Sequence, residues 1–123
     1  MPPAKILAVD DDRQFLEMMK EVLENKGFEV IAAANLTEAL KRMAMQPFDA
    51  LVTELQIPRS EDGLAIVTAM RRSQPKAVII VISASPELNG AAVAIHQKVD
   101  EFLVKPFDFE RIAELVRKSS TKI

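Results

Sequence analysis

The chain predicts a doubly wound α/β domain, with a parallel sheet covered by helices on both faces. Two observations predict it. Apolar runs that look like buried strands alternate strictly with stretches of helical period, five of each. Four of those runs also end on chemistry-bearing residues: Asp10 and Asp11, then Glu54, then Ser83, then Lys105-Pro106. The C-terminal edge of an open parallel sheet is where such folds place their ligand sites.

The elements follow in order. Lys5 to Val9 reads as a buried strand. From Arg13 to about Lys26 the chain reads as a helix, with Phe15, Met19, Val22 and Leu23 on one face. Asp12 suits its N-cap, and Gly27 stops it, because glycine tolerates the left-handed conformation. Phe28 to Ala32 is a second strand. Asn35 caps the next helix, with Glu38 in the capping-box position, and Leu36, Ala39, Leu40 and Met43 face inward before Pro47.

Ala50 to Glu54 is the third strand, and a loop broken by Pro58 runs from Leu55 to Asp62. Gly63 opens a helix with Leu64, Val67 and Met70 on one stripe, and Pro75 closes it. Ala77 to Ser83 is the most apolar strand and the candidate for the sheet centre. Ser85-Pro86 looks like a cap followed by proline at the first helical position, opening a short helix to about Lys98. Glu101 to Lys105 is the last strand. Asp108 caps a final helix carrying Ile112, Leu115 and Val116, and the tail from Ser119 reads as frayed. Crossovers between parallel strands of this kind are right-handed.

Composition narrows the function. The 123 residues fit one domain with one core, spanning 1–123 with its body at about 5–118. Apolar residues make up 49% and charged residues 28%, as in ordinary globular proteins. The net charge of −2 gives no electrostatic reason to bind nucleic acid directly. The absence of cysteine excludes disulfides, thiolate metal sites and cysteine nucleophiles. The longest apolar stretch, Ala77 to Ala84, is too short to span a bilayer, and no signal-peptide core precedes the first strand. A cytoplasmic location with no membrane contact is the expectation.

Asp10, Asp11 and Glu54 converging at one edge repel one another. At about 5 Å and an effective dielectric of about 20, each pair costs roughly 3 kcal/mol. Such a site invites a divalent cation or raises a carboxyl pKa, and oxygen ligands favour magnesium, manganese or calcium over zinc. Lys105 adds a fixed positive charge and Ser83 a hydroxyl, so the four strand ends together make a cradle for a phosphoryl group. His96 stands alone on a helix without metal-ligand spacing and reads as a surface residue. Met18, Met19, Met43 and Met70 read as packing residues.

From Lys5 to about Lys118 the chain resembles a receiver domain, the phosphoacceptor module of two-component response regulators. The resemblance rests on Ile6-Leu-Ala-Val-Asp10-Asp11, the Ile57-Pro58 to Asp62-Gly63 loop, Ser83-Ala84 and Phe102-Leu-Val-Lys105-Pro106-Phe107. It implies a flavodoxin-like strand order 2-1-3-4-5. It implies magnesium binding by Asp10, Asp11 and the backbone carbonyl of Gln56. It implies a switch hydroxyl at Ser83, a switch aromatic at Phe102 (here without a hydroxyl), and a phosphoryl-binding Lys105 whose bond to Pro106 is often cis. Phosphorylation in the family moves hydroxyl and aromatic together and reshapes the face of the fourth helix, fifth strand and fifth helix.

Three departures stand against this pattern. Glu54 occupies the position four residues before the loop proline where the family carries its phosphoacceptor aspartate. The extra carbon-carbon bond lengthens the reach by about 1.5 Å, which matters for in-line transfer. The loop from Pro58 to Gly63 is one residue longer than usual. Lys98-Val99 replaces the usual glycine-alanine before the last strand. Either Lys98 takes the left-handed conformation at a cost of about 1 kcal/mol, or the helix end is rebuilt.

The expected function is an atypical receiver in phosphorelay signal transduction, not an enzyme. It retains magnesium binding but is not efficiently phosphorylated and does not turn over phosphate efficiently. Glu54 either holds it near an active-like state or leaves it to signal through protein contacts alone. The expected partners are a histidine kinase or other signalling protein, and an output domain or a second copy on the face of the fourth helix, fifth strand and fifth helix. Two alternatives stand beside it. One is a conventionally phosphorylated receiver using Glu54 or a nearby acid. The other is a magnesium-dependent phosphatase built on the Asp10 and Asp12 spacing, for which the chain carries no substrate-cap segment.

Overall fold

The computed structural model describes residues 2–84 and 98–120. Five parallel strands form one sheet: β1 (Lys5–Val9), β2 (Glu29–Ala33), β3 (Ala50–Glu54), β4 (Val78–Ser83) and β5 (Glu101–Val104). Their order is β2-β1-β3-β4-β5, as expected. Four described helices accompany them: α1 (Arg13–Asn25), α2 (Leu36–Met45), α3 (Ser60–Ser73) and α4 (Phe109–Ser120), the last being the fifth helix expected from the sequence. The expected cap at Ser85-Pro86, the helix behind it and His96 lie outside the described residues.

Successive strand residues point to opposite faces of a sheet, and this sorts the core into two layers. Ile6, Ala8, Ala50, Val52, Ile80 and Ile82 pack with Leu16, Met19 and Leu23 of α1 and with Ile112, Ala113 and Val116 of α4. Leu7, Val9, Leu51, Ile79 and Val81 pack with Met43 of α2 and with Ile66, Val67 and Met70 of α3. Every residue of β3 and β4 is buried, and apart from Thr53 both strands are apolar until they reach Glu54 and Ser83. Among the described residues no helix is long and apolar enough to cross a membrane.

Local chemistry sets the helix ends. The Asp12 carboxylate accepts the backbone N–H groups of Gln14 and Phe15. The Asn35 side chain accepts from the Glu38 N–H at 2.9 Å, and Glu38 accepts in return from the Ala34 N–H at 2.7 Å, one residue upstream of the usual reciprocal bond. At the end of α1, Gly27 stands at φ 101°, with its N–H on the Glu24 carbonyl and the Phe28 N–H on the Leu23 carbonyl. That is a Schellman closure, whose left-handed position favours glycine. Asp108 caps α4 through the Glu110 N–H at 2.8 Å.

Several expectations need correction. α3 begins at Ser60, three residues before Gly63. Gly63 is required for a different reason: a Cβ there would lie 2.1 Å from the Leu55 carbonyl oxygen, so the glycine permits the helix backbone to touch the loop that leaves β3. In α1 the buried stripe is Leu16, Met19 and Leu23, while Phe15 and Val22 are only half-buried. Met18 and Leu40, expected in the core, are 43% and 40% exposed. Each lies one step round its helix from the buried stripe. Lys98 is not left-handed, because Gly27 alone has positive φ among the described residues. Instead Arg71 of α3 donates to the carbonyls of Lys98 and Ala77 and to the Asp100 carboxylate, which itself accepts the Ile79 N–H. One guanidinium thus ties together the segment from Lys98 to Asp100 that leads into β5.

Candidate functional site

Parallel pairing brings the strand ends level, with Val9 beside Thr53, Glu54 beside Ile82 and Ser83 beside Val104. The residues that follow or close those strands therefore meet at one edge. Asp10 is 1% exposed. Its Oδ1 accepts the Asp12 N–H at 2.9 Å, and its Oδ2 accepts from Lys105 Nζ at 3.2 Å. Glu54 is 6% exposed, and its Oε2 lies 3.0 Å from the same ammonium. The contact is an ion pair rather than a directed hydrogen bond, for no donor among the described residues is aimed at this buried oxygen.

Burial pushes the carboxyl groups of both acids above their ordinary range. For Asp10 the Asp11 charge adds to burial, and the Asp12 N–H and Lys105 oppose it. For Glu54 the Asp10 charge adds, and Lys105 and the Gln56 N–H oppose. Burial alone would lower Lys105, but its two carboxylates outweigh burial and hold the ammonium above its usual range.

Ser83 is fully buried at the end of β4, and its carbonyl accepts the Lys105 N–H at 2.9 Å. That backbone bond fixes where the lysine side chain starts. The Leu55 N–H donates to the Ile82 carbonyl at 2.8 Å, which ties the start of the loop to the same edge. Lys105-Pro106 is a cis peptide, as expected, and Ile57-Pro58 is a second one. Gln56 is half-buried behind Glu54. Phe102, opposite Val81 in the ladder, packs against the core layer of α2 and α3.

The expected convergence of three carboxylates is not what forms. Asp10 and Glu54 share Lys105, Asp11 is exposed, and no group of three acids or histidines that could hold a metal ion occurs among the described residues. The lysine relieves the repulsion that invited a cation. The donor chemistry still fits a hard divalent ion, because Asp10, Asp11 and the Gln56 carbonyl offer only oxygen. Asp10, however, has both oxygens engaged.

One neighbour escaped the sequence argument. The Phe15 ring lies with its centroid 3.9 Å from Lys105 Nζ. Phe107 and Phe109 pack beside Phe15, with centroids 6.5 Å and 6.1 Å from it. The signal available was the crowding of Phe107 and Phe109 behind Lys105-Pro106, but nothing in the spacing says that Phe15 joins them.

Known proteins share the fold and the family of this chain. The family model of the response regulator receiver domain matches residues 6–117. A putative NtrX-like response regulator of Rickettsia bellii is 30% identical over 115 residues, 93% of this chain and 24% of that protein. The chain thus spans about a quarter of that relative's length. A Burkholderia pseudomallei response regulator, solved with a phosphorylated aspartic acid, calcium and citrate, superposes with a TM-score of 0.82 at 28% identity, covering 95% of this chain and 69% of that one. TrrA of Thermotoga maritima, solved with magnesium and beryllofluoride, gives 0.77 at 31% identity, covering 94% and 98%. With the strand order, the acid–lysine edge and the family match in agreement, the chain belongs to the response regulator receiver domains of two-component signalling.

Proposed function

We propose that this receiver is atypical: a signalling and interaction module that does not take up a phosphoryl group efficiently. The observation that carries the reading is the 3.0 Å contact between Glu54 and Lys105. Phosphoryl transfer needs an acceptor oxygen aligned with the incoming phosphorus, and a lysine and cation placed on the phosphoryl oxygens. The extra methylene of Glu54 carries its carboxylate onto the ammonium instead. The pair must part before any phosphoryl group can enter between them. Glu54 supplies a single planar charge where a phosphorylated aspartate presents about two on a tetrahedron.

Asp10, Asp11 and the Gln56 carbonyl would hold magnesium, whose chemistry is to neutralise phosphoryl oxygens. Ser83, Phe102 and Pro106 carry the switch roles beside Lys105. The partners are a histidine kinase or other signalling protein, and an output domain or second copy on the face that includes β5 and α4. The location is cytoplasmic. The module is not an enzyme. Asp12, the second acid of the phosphatase alternative, is exposed and uses its Oδ1 to cap α1, which weighs against that reaction.

A second reading is conventional phosphorylation of Glu54 or a nearby acid. The phosphorylated aspartic acid in the Burkholderia pseudomallei relative favours it. Amide NMR of the wild type and Glu54→Asp, each with magnesium and with beryllofluoride added, separates the two. The proposal expects the variant to shift at Ser83, Phe102 and their neighbours, and the wild type to shift less. A wild type that switches as fully as the variant would overturn it.

A further inference from the structure

We infer that Phe15 is a positioning residue that holds Lys105 on its two carboxylates. Three groups surround the ammonium: Asp10 at 3.2 Å, Glu54 at 3.0 Å and the Phe15 ring at 3.9 Å to its centroid. The ring face is the negative part of an aromatic quadrupole and attracts a cation, more strongly where water is excluded. Lys105 retains only 22% of its side-chain exposure. Without the ring, the acids alone would oppose the pull of solvent on a long, freely rotating side chain.

Phe15 is itself held in place. The Asp12 cap takes the Phe15 backbone N–H at 3.2 Å and fixes the first turn of α1. Phe107 and Phe109 brace the ring, with centroids 5.0 Å apart from each other. Asp10, which precedes this turn, accepts the Asp12 N–H, so one short segment positions both an acid and the ring of the cage. This also accounts for Phe15 being half-buried while Leu16 fills the core. The inference rests on the proposed function only in treating the position of Lys105 as what sets the state of the site.

The experiment is the rate at which the Lys105 amine is acetylated by a succinimidyl ester, followed residue by residue by mass spectrometry, with exposed Lys41 as internal reference. Phe15→Leu is expected to raise the Lys105 rate about fivefold, from the usual worth of a partly desolvated cation–ring contact. Phe15→Tyr restores the slow rate. Pentafluorophenylalanine at position 15 preserves the size but reverses the quadrupole, and gives the fast rate even if the leucine variant folds poorly. Phe109→Leu, which removes a brace but not the ring over the ammonium, raises the rate less than Phe15→Leu does. An unchanged rate in the fluorinated chain, or an equal rise in Phe109→Leu, would overturn the inference. No phosphoryl donor is involved, so this result and the test of the proposed function fail separately.

Discussion

Glu54 and Lys105 form an ion pair 3.0 Å long across the sheet edge, and Asp10 joins it from the neighbouring strand end. One cation therefore compensates two buried acids. Replacing Lys105 by methionine keeps the bulk and removes the charge, leaving both carboxylates uncompensated. The variant is expected to lose about 2 kcal/mol near neutral pH, somewhat less than a fully buried pair because the lysine is partly exposed. Chemical denaturation at pH 7 measures it, and part of the loss should return in acid as the carboxyls protonate.

The raised carboxyls of Asp10 and Glu54 fix the sign of the pH dependence they contribute. A folded acid whose pKa lies above its unfolded value binds more protons than the unfolded chain, so its contribution to stability falls as pH rises. From the ordinary values of 3.8 and 4.5 upward to the folded values, these two groups disfavour folding progressively. Glu54→Gln removes one of them. Its stability should decline less steeply than that of the wild type as pH rises through that window. Urea unfolding midpoints at several pH values decide it, and a steeper decline in the variant would contradict the assignment.

Gly63 and Gly27 serve different needs and should respond differently to alanine. At Gly63 the new Cβ meets the Leu55 carbonyl oxygen at 2.1 Å, and backbone must move. A loss of about 3 kcal/mol is expected, at the upper end for overpacking. At Gly27 nothing lies within 4 Å, and only the φ of 101° is unfavourable. Alanine there should cost about 1 kcal/mol. Thermal unfolding of the two variants should preserve that order.

Asp12 illustrates how a sequence of three acids divides its labour. Its carboxylate caps α1 and takes no part in the Lys105 cluster. Asp12→Ala should cost about 1 kcal/mol while leaving magnesium affinity unchanged. Asp10→Asn should lower that affinity sharply. Calorimetric magnesium titration of both distinguishes cap from ligand.

Much of this was legible in the chain. Strand order and the pairing of strand ends followed from apolar runs and from the resemblance, and Asp12, Asn35, Asp108 and Gly27 cap or close helices as their chemistry requires. The rest depends on contacts that no local pattern encodes. Gly63 looked like a helix start because glycine breaks periodicity, whereas its cause is the distant Leu55 carbonyl. Leu40 reads inward by period and Met18 by the packing habit of methionine, yet both are exposed, because neither period nor residue type fixes the direction of the buried stripe to the residue. The acids were expected to gather around a metal. Lys105, read in the sequence as a fixed positive charge and a phosphoryl partner, pairs directly with Asp10 and Glu54.

On the proposed reading, Lys105 holds Glu54 out of line for covalent activation. The most direct test of that reading is incubation of the wild type with acetyl phosphate and magnesium, followed by intact mass spectrometry, with Glu54→Asp alongside. The account predicts an unmodified wild type and a phosphoryl adduct on the variant. A stable acyl phosphate recovered on Glu54 of the wild type would contradict it.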